Sequence, residues 1–289
     1  MFNWSLKLRQ QTDFCIPKGP SFKRAGLIKF SIGGTEISLR APRHKSQFAY
    51  KEAIQPPKEC EYNHLMMKPV RQKRKQWLSH SLFMRSWRFN GPWFSGSVGE
   101  LSMSISLITP SSFYTKVSFF RPKAFESAIA DFLKYCYGHD FFEGAQSWLA
   151  PVDWGLVSSW PCPAATFYVR ANAGSISSPD RYFVFPVTDT HFIEVYFNLH
   201  RAGPGPQEEK DQVISISPLE KLSTDIMNSI QVKLSPEALA QQAKALEGLE
   251  DTSLSESFPP IKFTTPEQDA EHERYLQEEQ RIQDILNGK

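Results

Sequence analysis

The sequence predicts an α+β fold: a mostly antiparallel sheet with one packed central helix and a helical C-terminal tail. Three observations carry that expectation. Leu101 to Leu107 alternates apolar residues with serine without a fault, the period-two signature of a strand with one buried and one polar face. Arg121-Pro122 is followed by an apolar stripe, Phe125, Ile129, Phe132, Leu133 and Cys136, at helical spacing, with Gly138 at its end. Beyond residue 200, Ser217-Pro218, Ser235-Pro236 and Thr265-Pro266 are each followed by an acid within two residues, the grammar of helix starts.

In chain order, Leu27–Ile32 and Thr35–Arg40 flank Gly33-Gly34 and predict a hairpin, because glycine accepts the positive φ of a tight turn. Residues 41–76 are polar, carry Pro42, Pro56, Pro57 and Pro69, and predict a long loop whose basic end is Lys68 to Lys75. An aromatic-rich segment follows, with Trp77, Phe83, Trp87, Phe89, Trp93 and Phe94 interleaved with Arg85 and Arg88. After the serine-alternating strand, Thr109 to Ser112 predicts a turn and Phe113 to Phe120 a return strand, leading into a helix over 122–137. Residues 139–163, with Trp148, Trp154 and Trp160 among prolines, predict an irregular apolar connection. Strands are expected at 165–171, 181–187 and 191–199, the last two joined by Thr188-Asp189-Thr190. The final strand is apolar on both faces and so belongs in the middle of the sheet. The helices are expected to group on one face or end of that sheet. Arg201 to Pro206 predicts a linker or exposed loop, dividing a 1–200 α+β core with a basic N-terminal part from an acidic helical region, 201–289. Residues 250–289 are acidic and thinly apolar, and are expected to be the most labile part of the chain.

Composition bounds the function. With 22 Phe, 9 Tyr and 7 Trp in 289 residues, the chain can fill a core, and wholesale disorder is excluded. The net charge of +2 conceals a division. Residues 1–125 hold 21 Lys/Arg against 6 Asp/Glu, a balance of +15; the remainder holds 12 against 25, a balance of −13. Such polarity suits two regions that face each other or face different partners. No run of 18 apolar residues is present, Met1 to Lys7 lacks the apolar stretch of a secretory signal, and Cys15, Cys60, Cys136 and Cys162 are scattered. These features together predict a cytoplasmic protein.

The search for chemistry returns little. Ser95-Gly96-Ser97-Val98-Gly99 lacks the first glycine of a nucleophile elbow and precedes a strand instead of a helix. No lysine follows a suitable glycine pair to make a phosphate loop. Cys60, His64 and His80 lack the second close pair of a structural zinc site, and His139-Asp140 lacks companion ligands. Pro179-Asp180 is followed by Glu194-Val195-Tyr196, without the lysine of a restriction-type nuclease, and Asp189 with His191 is explained by a tight turn. No catalytic residue, metal or cofactor is expected. The candidate partner-binding set is Arg71, Lys73, Arg74, Lys75, Arg85 and Arg88, with Trp87 as aromatic anchor. Such a segment suits an acidic protein surface, or nucleic acid through phosphate contacts and base stacking; a solvated basic turn beside core aromatics is equally compatible.

Phe89-Asn90-Gly91-Pro92-Trp93-Phe94, the serine-alternating strand, Phe119 to Glu126 and Trp148-Leu149-Ala150-Pro151-Val152-Asp153-Trp154 together resemble orphan bacterial proteins encoded beside type VI secretion effectors. The resemblance covers residues 85–200. It implies an immunity protein, a non-enzymatic partner that neutralises a cognate secreted toxin by stoichiometric occlusion, with no catalytic residue to carry over. The alternative is a nucleic-acid-binding protein using segment 68–94.

Overall fold

A computed structural model describes residues 14–62, 66–71, 74–92, 96–111, 117–142, 145–158, 160–172 and 175–286. In chain order the strands are β1 (Gly26–Ile32), β2 (Thr35–Ala41), β3 (Glu59–Cys60), β4 (Lys68–Arg71), β5 (Arg74–Asn90) and β6 (Ser97–Pro110). Helix α1 (Pro122–Tyr137) follows, then β7 (Phe141–Phe142), β8 (Ala145–Gln146), β9 (Trp148–Leu156), β10 (Ala165–Ala171), β11 (Asp180–Pro186) and β12 (Phe192–Arg201). The C-terminal region comprises α2 (Gln207–Val213), α3 (Ser217–Met227), β13 (Gln231–Lys233), α4 (Pro236–Leu246) and α5 (Pro266–Leu286).

Among the described residues, seven strands form one antiparallel sheet in the order β4-β5-β6-β12-β11-β10-β9, and four form a second, β13-β2-β1-β3. The α+β class therefore stands. β12 is the fourth of seven, the central position expected from its two apolar faces. The β1–β2 hairpin turns at Gly33 and Gly34, both at positive φ (49° and 77°), as a two-residue turn demands. A side chain at Gly33 would also meet the Tyr62 ring at 2.0 Å.

The large sheet is covered on both faces. On one, α1 lays Phe125, Ile129, Phe132 and Leu133 against Phe192, Ile108, Phe167, Val184 and Trp77. On the other, the small sheet and α3 pack Phe30, Ile37, Leu39, Leu219, Leu222 and Ile226 against Phe83, Trp87, Met103, Phe185, Val195 and Phe197. The helices thus lie on opposite sides of the sheet, not grouped on one. The reason lies in the strands: β6 and β12 carry apolar residues on both faces, so each face needs a cover.

Several connections differ from expectation. The aromatic segment after residue 76, which carries no readable period, forms most of β5, a 17-residue strand that begins inside the stretch expected to be loop. Of the expected return strand Phe113–Phe120, the described residues 117–120 form no strand, and among the described residues the neighbours of β6 are β5 and β12. Residues 112–116 lie outside the described residues, while Phe119 and Phe120 are buried in the turn into α1. Residues 139–163 contain β7, β8 and β9, and the irregularity expected there persists as two register shifts in the pairing of β9 with β10. Residues 202–206 form the expected loop, but Arg201 ends β12 and is buried, bonded to Asp211, the Ile214 carbonyl and Gln207. β13 pairs with β2, so the acidic C-terminal region shares a sheet and a core with the basic N-terminal part.

The 41–76 loop is real between β2 and β3, yet it is pinned along the outer edge of β5. Ile54 and Met84 exchange backbone hydrogen bonds of 3.0 and 3.1 Å, and Lys45 donates to Ser86 and accepts from Arg88. No helix among the described residues is long and apolar enough to cross a membrane.

Candidate functional site

The basic residues singled out from the sequence do not converge. Arg71 ends β4 and pairs with Asp140 at 3.2 Å, while Tyr135 bonds its backbone. Lys73 lies outside the described residues; Arg74 opens β5, and Lys75 is exposed beside it. Arg85 and Arg88 follow ten or more residues along the same strand, about 33 Å away at roughly 3.3 Å per residue. Arg85 is committed internally, donating to the carbonyls of Ala41 and Pro42 and to Gln55, with its guanidinium over the Phe83 ring. Its burial lowers its pKa.

Trp87 is corrected. Its exposure is 0%, with Trp77 at 2%, Phe83 at 0% and Phe89 at 1%, and its indole donates to the Pro42 carbonyl at 3.2 Å. It lies between the two sheets, and a ring without surface offers a partner nothing to grip. The same burial leaves these four aromatics no face on which a base could stack; Trp93 and Phe94 lie outside the described residues.

A second cluster was not anticipated. The face of the large sheet that α1 crosses is apolar toward Phe192 and polar beyond it. In register across three strands stand Glu194 with Ser106, Tyr196 with Tyr182 and Ser104, and Asn198 with Asp180 and Ser102. Asp180 accepts from the Tyr137 hydroxyl at 3.1 Å, from Tyr196 at 2.7 Å and from Asn198 at 2.8 Å, and Tyr137 shares a short hydrogen bond with Tyr182. Burial pushes the Asp180 carboxyl up, while these three donors pull it back. Burial pushes Glu194 up to about 8, the charge of Asp180 adding to it. Tyr50, from the 41–58 loop, reaches Ser104 over this face, and its phenol is raised by burial and by both carboxyls. Further along, Glu100 accepts from the amides of Gln47, Phe48 and Ala49 and from the Ser46 hydroxyl at 2.6 to 3.0 Å. Burial opposes its ionisation, but the four donors outweigh it and its pKa falls. The signal in the sequence was the serine run of β6, read as one polar face; what it faced became visible only once β12 was placed beside it.

The third feature is α5. Its N-terminus is anchored: Phe263 is buried and its amide donates to Gln146, and Lys262 pairs with Asp269. From Glu273 onward the helix is exposed almost throughout, including Tyr275 (37%), Leu276 (48%), Ile282 (48%) and Ile285 (65%). Its 21 residues hold seven Asp/Glu against two Arg. The segment before it, expected to be labile, is docked: Leu254 is buried, Ser255 bonds Glu126, and the Trp154 indole donates to the Ser255 carbonyl at 2.9 Å.

Among the described residues no group of three or more His, Cys, Asp or Glu is placed to hold a metal. The chain matches no protein-family model, no curated protein and no solved structure.

Proposed function

We propose that the chain is a non-enzymatic binding protein that captures a basic protein partner through α5. One observation carries this reading: the outer half of an acidic helix projects from the body with Leu276, Ile282 and Ile285 exposed. An isolated helix is marginal in water, and helices in proteins draw most of their stability from a packed apolar face. A projecting helix with aliphatic residues and a net negative charge is suited to a basic surface with an apolar groove. Opposite charge speeds encounter, and the aliphatic residues slow dissociation. The resemblance of residues 85–200 to proteins encoded beside type VI secretion effectors makes that partner a cognate toxin, neutralised by stoichiometric occlusion. The basic hairpin is the weaker interface, because Arg71 and Arg85 already have internal partners. Nucleic-acid binding draws no support from a segment whose described aromatics are buried.

The test is co-expression with the neighbouring toxin, followed by recovery of a complex. Leu276→Asp, Ile282→Asp and Ile285→Asp together should weaken binding by about 100-fold or more, since hot-spot residues are worth around 2 kcal/mol each. Their thermal midpoint should stay near that of the parent. Reversing Arg71 and Lys75 should leave capture intact. Recovery of the complex at parental affinity with the triple variant would sink the reading.

A further inference from the structure

Glu194 occupies an unusual position. It sits in the middle of β12, the central strand of the sheet, flanked by Val184 on β11 and Ser106 on β6. A residue there is expected to be sealed beneath α1, as Phe192 two positions earlier is. Instead Glu194, Tyr196 and Ser104 each keep part of their surface open, and Ser81, in the same row on β5, is exposed. Glu194 thus forms the floor of a polar, partly open stretch of the sheet face. Cys136, on the last turn of α1, and the loop residue Tyr50 stand close enough for its charge to bear on them.

The polar inventory of that floor is unbalanced. Asp180 is satisfied by three donors. Glu194 has no hydrogen bond or ion pair among the described residues. The ionisable groups around it are Asp180 and Tyr182 from β11, Tyr196 from β12, Cys136 and Tyr137 from α1, and Tyr50 from the loop. None is a cation. Arg71, whose charge bears on Cys136, is paired with Asp140. A carboxyl drawn part-way out of water without a partner is disfavoured when charged, and it is relieved by a proton or by an incoming cation. Phenol rings and serine hydroxyls are what a cationic N–H group needs around it: ring faces for the charge and oxygens for the remaining protons.

We propose that this part of the sheet face binds an organic cation, an ammonium or guanidinium group, seated on Glu194 with Ser104, Ser106, Tyr50 and Tyr196 around it. The exchange is balanced: the neutral carboxyl of Glu194 releases its proton to solvent, and the ligand's positive charge replaces it. The site is remote in sequence from α5 and does not depend on the reading of that helix. The cation can arrive as a free small molecule or as a basic side chain of a bound protein.

Isothermal titration of the full chain with agmatine, with butylammonium and with the blocked peptide acetyl-Gly-Arg-Gly-amide tests this, with butanol as the neutral control. Repeating the titration in buffers of different ionisation enthalpy reads the proton. With Glu194 at about 8, roughly 0.9 proton should leave per cation bound at pH 7. Affinity should rise from pH 6 to pH 8. Tighter binding of the peptide assigns the site to a partner's side chain, and tighter binding of a free ion assigns it to a small molecule. Glu194→Gln should weaken binding at least tenfold and abolish proton release while keeping the near-UV circular dichroism of the parent. Should that variant lose its fold, Ser106→Leu, which fills the floor, should block the same probes. No binding of any cation at millimolar concentration, butanol binding as well as butylammonium, or cation binding without proton release by the parent would each overturn the proposal.

Discussion

Glu100 and Glu194 share one face of the same sheet and are driven in opposite directions. Four donors hold the Glu100 carboxylate below its usual range, and the absence of donors leaves Glu194 raised to about 8. Their linkage to pH therefore has opposite sign. Glu194 keeps in the folded state a proton that the unfolded chain gives up above about pH 4.5, so its contribution declines as pH rises toward 8 and is level beyond. Glu194→Gln should consequently stabilise the protein progressively between pH 5 and pH 8, by on the order of 3 kcal/mol at the upper end, read by urea unfolding across that range. Asp180 is raised as well, so some slope should remain in the variant. Glu100 contributes above its unfolded pKa and loses that contribution as pH falls, so Glu100→Gln should destabilise at pH 7 and converge on the parent in acid. Trp87, between the sheets, belongs to a different class: Trp87→Ala should cost about 3–5 kcal/mol of stability through lost packing, visible as a lower urea midpoint. If instead stability were unchanged and partner affinity fell, its placement in the core would be wrong.

At the scale of elements, α1, the β1–β2 hairpin and the strands β10 to β12 were readable because each carries its full pattern locally. β5 was not, and its register explains why. A bulge between Ser81 and Phe83 shifts the alternation by one residue, so Trp77 faces α1 while Phe83, Trp87 and Phe89 face the small sheet. Read without that shift, the segment has no period and names no element. β9 was hidden similarly, its pairing with β10 broken by two register shifts. The carboxylate face was illegible for another reason, since its residues come from three separate strands, from α1 and from a loop, and no window of sequence contains them together. In the C-terminal region, docking of Leu254 and Phe263 narrows the labile stretch expected over 250–289 to the outer half of α5. Limited trypsinolysis should cut at Arg274 or Arg281 in the exposed half of α5 before it cuts at Lys262, checked by mass spectrometry of early fragments. Early cleavage at Lys262 with α5 intact would contradict this anchoring.

For the molecule as a whole, the division between +15 and −13 is largely internal, because the acidic half supplies β13 and α3 to the side of the core built by the basic hairpin. What remains outward is the acidity of α5, so association with a basic partner should slow as salt rises from 50 to 300 mM while dissociation changes little, measurable by stopped-flow mixing. The pairing of β13 with β2 also dictates an order of assembly. Gln231 to Lys233 lie opposite Glu36 to Ser38, almost two hundred residues apart in the chain. Until they emerge from the ribosome, β2 presents a bare edge of unpaired backbone, and its apolar face lacks Leu222, Ile226 and Ile230. The N-terminal hairpin can form early, but it must wait for most of the remaining chain before it is sealed. A nascent chain of this protein thus spends most of its synthesis with an adhesive strand exposed, the interval in which a chaperone has the most to protect.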